Sequence, residues 1–268
     1  QNIDEIAREI NLGLDSFVFL DDNPAERALV SGSLSKVSVP DIGNDPNNYF
    51  KYIDENGFFE RVSLAQEDTD RSKYYSENKQ RDDAKNKFQS QDAFLESLQM
   101  FGKISLFDET HIERITQLIN KTNQFNLTTK RYSLAEVIKI KDNSKFIAFY
   151  GRLEDKFGDN GLISILIAKK NAHTIHIDTW LMSCRVLKRG MEFAMFNALL
   201  EEAKKLKITQ IIGHFVPTEK NMMVKSLYSD LGFNLSSASD QEDIYNLDVN
   251  SFVKAKHHIE ITENFTET

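Results

Sequence analysis

Thr174-Ile175-His176-Ile177-Asp178-Thr179-Trp180-Leu181-Met182, then Ser183-Cys184-Arg185-Val186-Leu187-Lys188-Arg189-Gly190, then Met191-Glu192-Phe193-Ala194-Met195-Phe196, reads as strand, loop and helix. The helix is expected over 190–206, with Phe193, Ala194, Phe196, Leu199, Leu200 and Ala203 at helical spacing. A loop of this kind can turn backbone N–H groups and the positive end of a helix toward a phosphate, and Gly190 allows close approach to the backbone. Arg185, Lys188 and Arg189 add cationic donors for the same anion. The competing reading is a surface loop that is simply basic.

Outward from this segment the elements alternate. A strand is expected at 210–216, then a helix over 221–231 stopped by Gly232 in the position of a C-terminal cap. On the other side, 104–107 reads as a strand and 111–122 as a helix with Ile112, Ile115, Leu118 and Ile119 on one face. A short helix at 134–140 precedes strands at 146–153 and 162–169, with Asp159-Asn160-Gly161 as the hairpin turn between them. This alternation predicts a mixed α/β sheet. Residues 46–97 are polar and helical in character, and the charged run 68–87 reads as a long solvated connecting helix. Near the N-terminus, Ile3, Ile6, Ala7 and Ile10 suit a short amphipathic helix. The apolar run Phe17-Val18-Phe19-Leu20 reads as a buried strand that stops at Asp21-Asp22-Asn23-Pro24, followed by a helix and a second short strand at 37–40.

With 268 residues, two domains are expected, and 40% hydrophobic with 28% charged residues suits packed cores under a polar surface. No apolar run approaches the roughly 20 residues of a membrane-spanning helix, and Gln1-Asn2-Ile3-Asp4-Glu5 lacks signal-peptide character, so the cytosol is the expected compartment. The single cysteine, Cys184, excludes an internal disulfide and a cysteine-rich zinc site. A net charge of −8 argues against nucleic acid as a partner, though a local basic patch can still hold a small phosphorylated molecule. The chain opens without Met and in what reads as the middle of a fold, which suggests a piece of a longer protein.

The segment Asn221-Met222-Met223-Val224-Lys225-Ser226-Leu227-Tyr228-Ser229-Asp230-Leu231-Gly232-Phe233, taken with the basic loop, resembles the signature of the GNAT superfamily of N-acetyltransferases. The resemblance implies that the loop holds the pyrophosphate of coenzyme A and that the flanking strands splay apart to admit the pantetheine arm. Asn221 would line that arm, and Tyr228 would act as general acid near the leaving thiolate. The family loop normally carries a second small residue after its glycine, whereas here Gly190 is followed by Met191 and Glu192. Arg189-Gly190 would then suit a shorter phosphate, such as the phosphopantetheine of a carrier protein.

A narrower resemblance, to the FkbH-like proteins, rests on Thr122-Asn123-Gln124-Phe125-Asn126-Leu127-Thr128-Thr129-Lys130-Arg131-Tyr132, on Phe157-Gly158-Asp159-Asn160-Gly161 and on 183–192. It spans nearly the whole chain. It implies a partial haloacid-dehalogenase-like, Rossmann-like segment at 1–45, a helical linker at 46–100, a GNAT-like acyltransferase domain at 101–250 and a tail at 251–268. Members join a phosphatase domain to the acyltransferase-like one, and some load a glyceryl group from a phosphorylated donor onto an acyl carrier protein. Asp22 would bind Mg²⁺ with Asp21 in support, carboxylates being suitable hard ligands; the plain alternative is two solvated carboxylates capping the next helix. No Asp-x-Asp follows an apolar strand, so phosphatase activity is not expected of this chain alone.

Cys184, flanked by Arg185 and close to Lys188 and Arg189, is a candidate nucleophile and acyl acceptor if its thiolate is stabilised; a small buried residue at a strand end is the alternative. His214 is a candidate base, while His173, His176, His257 and His258 read as packing or surface residues. Asn123, Gln124, Asn126, Thr128, Thr129 and Arg131 would line an acyl or donor pocket or, alternatively, form a hydrogen-bonded turn. Three functions follow: acyl, in particular glyceryl, transfer to a thiol or acyl carrier protein; N-acetyl transfer from acetyl-CoA; and a docking module without chemistry. The first two place a thioester arm between two diverging strands, with its phosphate at Gly190.

Overall fold

The computed structural model describes residues 2–9, 12–43, 45–58 and 71–265. Ile10, residues 59–70 with the first three of the charged run, and the end of the tail lie outside the described residues. The chain divides into two compact units, 1–75 and 76–268.

In the first unit, α1 spans Asn2–Glu9 and α2 spans Pro24–Ser33. The expected strands at 17–20 and 37–40 shrink to one parallel bridge, Val18 with Ser38, held by Phe19 N–H to the Ser38 carbonyl and Ser38 N–H to the Phe17 carbonyl. The strand, helix and strand order is as expected, with too few paired residues for a sheet. Asn23 accepts from Ala25 N–H as the cap of α2, and Pro24 fills the first helical position, where its missing N–H leaves nothing unpaired. A third helix, α3, covers Tyr49–Glu55.

The second unit contains the later residues of α4 (Arg71–Lys85), then α5 (Gln91–Ser97) and β1 (Met100–Leu106). Next come α6 (Ile112–Lys121), the two-residue β2 (Phe125–Asn126) and α7 (Leu134–Lys141). The strands β3 (Phe146–Asp155), β4 (Gly158–Asn171) and β5 (Thr174–Met182) lead into α8 (Met191–Lys205). The unit finishes with β6 (Gln210–Phe215), the short α9 (Leu227–Asp230), β7 (Asn234–Ser237), β8 (Asp243–Asp248) and β9 (Ile259–Asn264). The sheet is mixed, in the order β7-β8-β6-β5-β4-β3-β1-β9, with β2 attached to β5. Helices cover both faces, as the α/β reading predicts. On one face α8 buries Phe196, Leu199 and Leu200 against Trp180, Phe215 and Phe149; on the other, Ile115, Ile119 and Val137 pack on Ile165 and Ile167. Each such side chain contributes about 1.5–3 kcal/mol on burial.

Several boundaries differ from expectation. The turn between β3 and β4 is at Lys156-Phe157, because Asp155 pairs with Gly158, and Asp159-Asn160-Gly161 lies inside β4 beside a register shift. The helix expected over 221–231 is broken into a turn at Met222–Val224 and α9. Gly232 does end it, at φ 81, a left-handed conformation that a Cβ would strain. Residues 76–97, read as linker, fall in the second unit and supply Phe94 and Leu95 to its core. The tail supplies β9, parallel to β1 with Met100 opposite Ile259.

Two local irregularities shape the middle of the sheet. Thr179 pairs with Ile167 and Ile177 with Ala168, so Asp178 bulges from β5. Ile175, Ile177, Trp180 and Met182 therefore all join the α8-side core, while Leu181 joins the other. Second, β5 and β6 pair in parallel only from Thr174 with Gln210 to His176 with Ile212, and then part. Gly213 lies just past that point, where an added Cβ would stand 2.5 Å from the Tyr228 ring, so glycine is what lets the ring pack flat on β6.

Candidate functional site

The gap that opens beyond His176 and Ile212 is the place where a thioester arm was expected. It is spanned by the chain itself. Phe125 pairs with Met182 and Asn126 with Leu181, on the edge of β5 turned away from β4. Leu127 then donates its N–H to the Trp180 carbonyl at 3.0 Å and accepts from Val216 N–H at 2.8 Å, joining β5 to the end of β6. Leu127 is fully buried. Backbone groups of β5 that a pantetheine amide would need are thus already paired, since each N–H has one hydrogen to give.

Asn221 locks this insert. Its Nδ2 donates to the Asn126 carbonyl at 2.8 Å and to the Val216 carbonyl at 2.9 Å, and its Oδ1 accepts from Thr218 N–H at 2.7 Å. The residue is 0% exposed, so it lines the gap as expected but faces protein atoms. Tyr228 is also fully buried, its ring against Trp180, Phe233 and Tyr245. Its hydroxyl accepts from His214 N–H at 3.2 Å, and burial pushes its pKa far up. A general acid must reach the reacting atom, and in this arrangement Tyr228 is a core residue.

The basic loop is arranged for internal contacts. Asp155 takes a two-pronged bond from Arg81, Nε to Oδ2 and Nη2 to Oδ1, both 2.8 Å, and Arg189 Nη1 adds a third at 3.1 Å. Arg189 also donates to Asn78 and to the Arg185 carbonyl, and Glu77 lies 3.6 Å from Arg81. The Asp155 carboxylate is wholly enclosed and the Arg81 and Arg189 side chains nearly so. Burial, followed by the neighbouring Arg81, pushes Arg189 down to about 10. Arg189 therefore serves as a brace between loop and hairpin, where a free phosphate clamp was expected. Arg185 donates to Ser183 Oγ at 3.2 Å, and the Lys188 carbonyl accepts from Gln91. Gly190 caps α8 at φ 87, the glycine-favouring conformation the loop reading requires. Glu192 is buried there; burial raises its carboxyl, and bonds from its own N–H and that of Gly190 work against the rise. A buried carboxyl group thus sits at the start of α8, where a phosphate was expected.

Cys184 follows β5 at the head of a short turn, Cys184–Val186, and is half-buried. Burial pushes the thiol up and outweighs the opposing effect of Arg185, so the expected thiolate stabilisation is absent. The polar cluster is a self-bonded turn. Arg131 donates to the carbonyls of Ile119 and Thr122 and to Asn123 Oδ1, closing the end of α6. Asn126 Nδ2 donates to the Thr122 carbonyl and Asn126 Oδ1 accepts from Thr129 N–H, while Thr129 sits at φ 54 and Gln124 is half-buried in the preceding turn. Thr128 Oγ1 donates to the Asp178 carbonyl.

Around His214, a candidate from the sequence, stand groups that the sequence did not single out. Asp178 accepts from Lys130 Nζ and Tyr132 Oη at 2.5 Å each. Burial works to raise its carboxyl, but the bonds from Lys130 and Tyr132 hold it below the usual range. Glu242, His214 and His176 form a chain at the vertex. Asp178 is too far in sequence from Lys130 and Tyr132 for spacing to reveal the contact, and of the histidine chain only His214 stood out.

In the first unit, Asp21 and Asp22 end the expected strand. Asp21 Oδ1 accepts from Asn23 N–H, and Arg27 donates to both aspartate carbonyls and to Asp41 Oδ1. Among the described residues no group of three His, Cys, Asp or Glu could hold a metal ion. No helix among the described residues is long and apolar enough to cross a membrane.

No protein-family model matches the chain, and no curated protein matches it. Several solved structures do. The ribosomal-protein-S18-alanine N-acetyltransferase from Escherichia coli matches at 14% identity and a TM-score of 0.44, over 56% of this chain and 94% of that one. The paia N-acetyltransferase from Thermoplasma acidophilum, in complex with coenzyme A, matches at 14% identity and a TM-score of 0.42, over 55% and 98%. The spermidine/spermine N-acetyltransferase SpeG from Vibrio cholerae, in mutant form, matches at 14% identity and a TM-score of 0.42, over 57% and 95%.

Proposed function

We propose that the second unit is an acyltransferase-type unit of the FkbH-like kind, handling an acyl group, glyceryl in the resemblance, that reaches it as a thioester on an acyl carrier protein. The observation that carries the choice of carrier is at the phosphate end: Arg189, expected to hold a pyrophosphate, is engaged by Asp155, and Gly190 is followed by Met191 and Glu192. The bridge at Leu127 narrows the gap for any pantetheine arm, and with Arg189 held by Asp155 a free coenzyme A lacks the guanidinium expected to hold its pyrophosphate. A carrier protein's phosphopantetheine is the same arm ending in a single phosphate, so it needs no pyrophosphate cradle and adds a docking surface of its own, while its thiol end meets the same spanned gap. The partners are thus an acyl carrier protein and a small acyl or phosphorylated donor. Mg²⁺ would belong only with a fuller dehalogenase-like segment than 1–45, and Asp21 and Asp22 are its candidate ligands.

The raised Cys184 thiol and the sealed Tyr228 favour a second reading, a carrier-docking module without chemistry of its own. Calorimetry separates these from an acetyl-CoA enzyme. Holo carrier protein is expected to bind and coenzyme A to give no heat at concentrations up to about 1 mM, where a Kd of that size corresponds to about 4 kcal/mol. Saturable coenzyme A binding would overturn the carrier reading. Transfer of a labelled glyceryl group between carrier and acceptor thiol then distinguishes transfer from docking, and an adduct on Cys184 by intact mass tests whether that thiol takes part.

A further inference from the structure

At the vertex where β5 and β6 stop pairing, two imidazoles and a carboxylate form a line on the sheet face opposite α8. His176 and His214 alternate with Ile175, Ile177, Ile211 and Phe215, which face α8, so both rings project to the other side. His214 Nδ1 is 2.8 Å from Glu242 Oε1, His214 Nε2 is 3.2 Å from His176 Nδ1, and the two rings stack with centroids 5.5 Å apart. Both rings are half-buried.

The hydrogens follow from the partners. A carboxylate can only accept, so His214 Nδ1 carries a hydrogen. In the neutral ring Nε2 then has a lone pair, and its bond to His176 makes His176 Nδ1 the donor. One nitrogen is left over, His176 Nε2, and it must be bare. An isolated histidine side chain favours the opposite tautomer. We propose that Glu242, His214 and His176 are a proton relay whose entrance is His176 Nε2, serving a neutral proton donor, the thiol, hydroxyl or amine of an acceptor molecule, on the sheet face opposite α8.

The transfer is balanced within the chain. The acceptor's proton goes to His176 Nε2, the proton on His176 Nδ1 moves to His214 Nε2, and the positive charge comes to rest on His214 against Glu242. His176 ends neutral. The charged groups facing it account for that division: Lys169, its partner across β4, repels a charge on His176, and the Asp178 carboxylate is already engaged by Lys130 and Tyr132. Burial, then His214, then Lys169 lower the His176 pKa, which keeps the entrance unprotonated at neutral pH.

The identity of the acceptor rests on the transfer reading; the relay does not. Long-range ¹H–¹⁵N correlation spectra of the imidazoles, in mildly alkaline solution, are expected to show Nδ1–H on both His176 and His214. Glu242→Ala should return His176 toward the ordinary Nε2–H form. Finding Nε2–H on His176 in the unaltered protein overturns the proposal. Diethyl pyrocarbonate should modify His176, located by peptide mass, and its complete protection while His258 reacts would also overturn it. In the carrier assay, His176→Gln is expected to slow transfer about a hundredfold and to flatten the pH dependence near neutrality; transfer at an unchanged rate removes the assigned role. If holo carrier protein fails to bind at all, the transfer reading falls while the spectra still decide the relay.

Discussion

Asp155→Ala is expected to lower the stability of the second unit by about 3–5 kcal/mol, the loss typical of leaving an enclosed charge without its partner. Arg81 and Arg189 both bond to that one carboxylate; Glu77, at 3.6 Å, is a further counter-charge for Arg81, and Asp82 acts on Arg189. A Cβ at Gly158 would come within 2.2 Å of the Glu77 carboxylate, so the glycine is what leaves room for Glu77 beside this cluster. Urea unfolding should show a lower midpoint with an unchanged slope. Replacing the whole set, as in Glu77→Met with Arg81→Met, Asp155→Leu and Arg189→Met, should recover much of the loss, because apolar side chains of similar volume avoid the desolvation of four charges. A loss below about 1 kcal/mol for Asp155→Ala would mean that water reaches the cluster.

Asn221→Ala comes next, at about 2–4 kcal/mol, from two carbonyls and one N–H stripped of a partner in a buried site. The position of the damage is as specific as its size. The Leu127 and Val216 amides, which hold the insert on its two sides, should lose protection from hydrogen exchange before the rest of the sheet. Asn221→Asp should be worse than a change of one atom suggests, since it keeps the acceptor for Thr218 and turns a carboxylate oxygen on two carbonyls. Retained protection at Leu127 in Asn221→Ala would show that the insert does not need this lock.

What could be read from the sequence was whatever repeats locally. The strands 146–153, 162–169 and 174–182 and the helix after Gly190 declare themselves through spacing, and each is present with its bounds extended by a few residues at most. Ile259-Glu260-Ile261 alternates as β9 requires, but a run of three residues carries little weight by itself. Arg189 was legible as a cation and illegible as a brace, because its partner Asp155 lies on another strand and Arg81 on another helix. The same limit applied to Asn123, Asn126 and Arg131. Their polarity suggested a pocket, whereas satisfaction of the end of α6 and of a tight turn explains each of them. The bulge at Asp178 has no signature of its own, yet it shifts which residues of β5 face each side. His214 was visible, and its companions His176 and Glu242 were not, since the contact depends on where β5 and β6 part.

The pairing of Met100 with Ile259 has a bearing on how the protein is made. On the ribosome, β1 emerges long before β9, and until the last strand arrives one edge of β1 presents open backbone donors and acceptors to any other chain nearby. Closing such a distant contact is slow, so nascent molecules pass through a sticky stage whose length is set by translation speed. Overproduction in a fast-translating host should therefore yield more inclusion bodies than synthesis in the cold, and a stop codon placed just before Ile259 should give insoluble product even though the gap, the relay and the ion cluster are all encoded upstream of it.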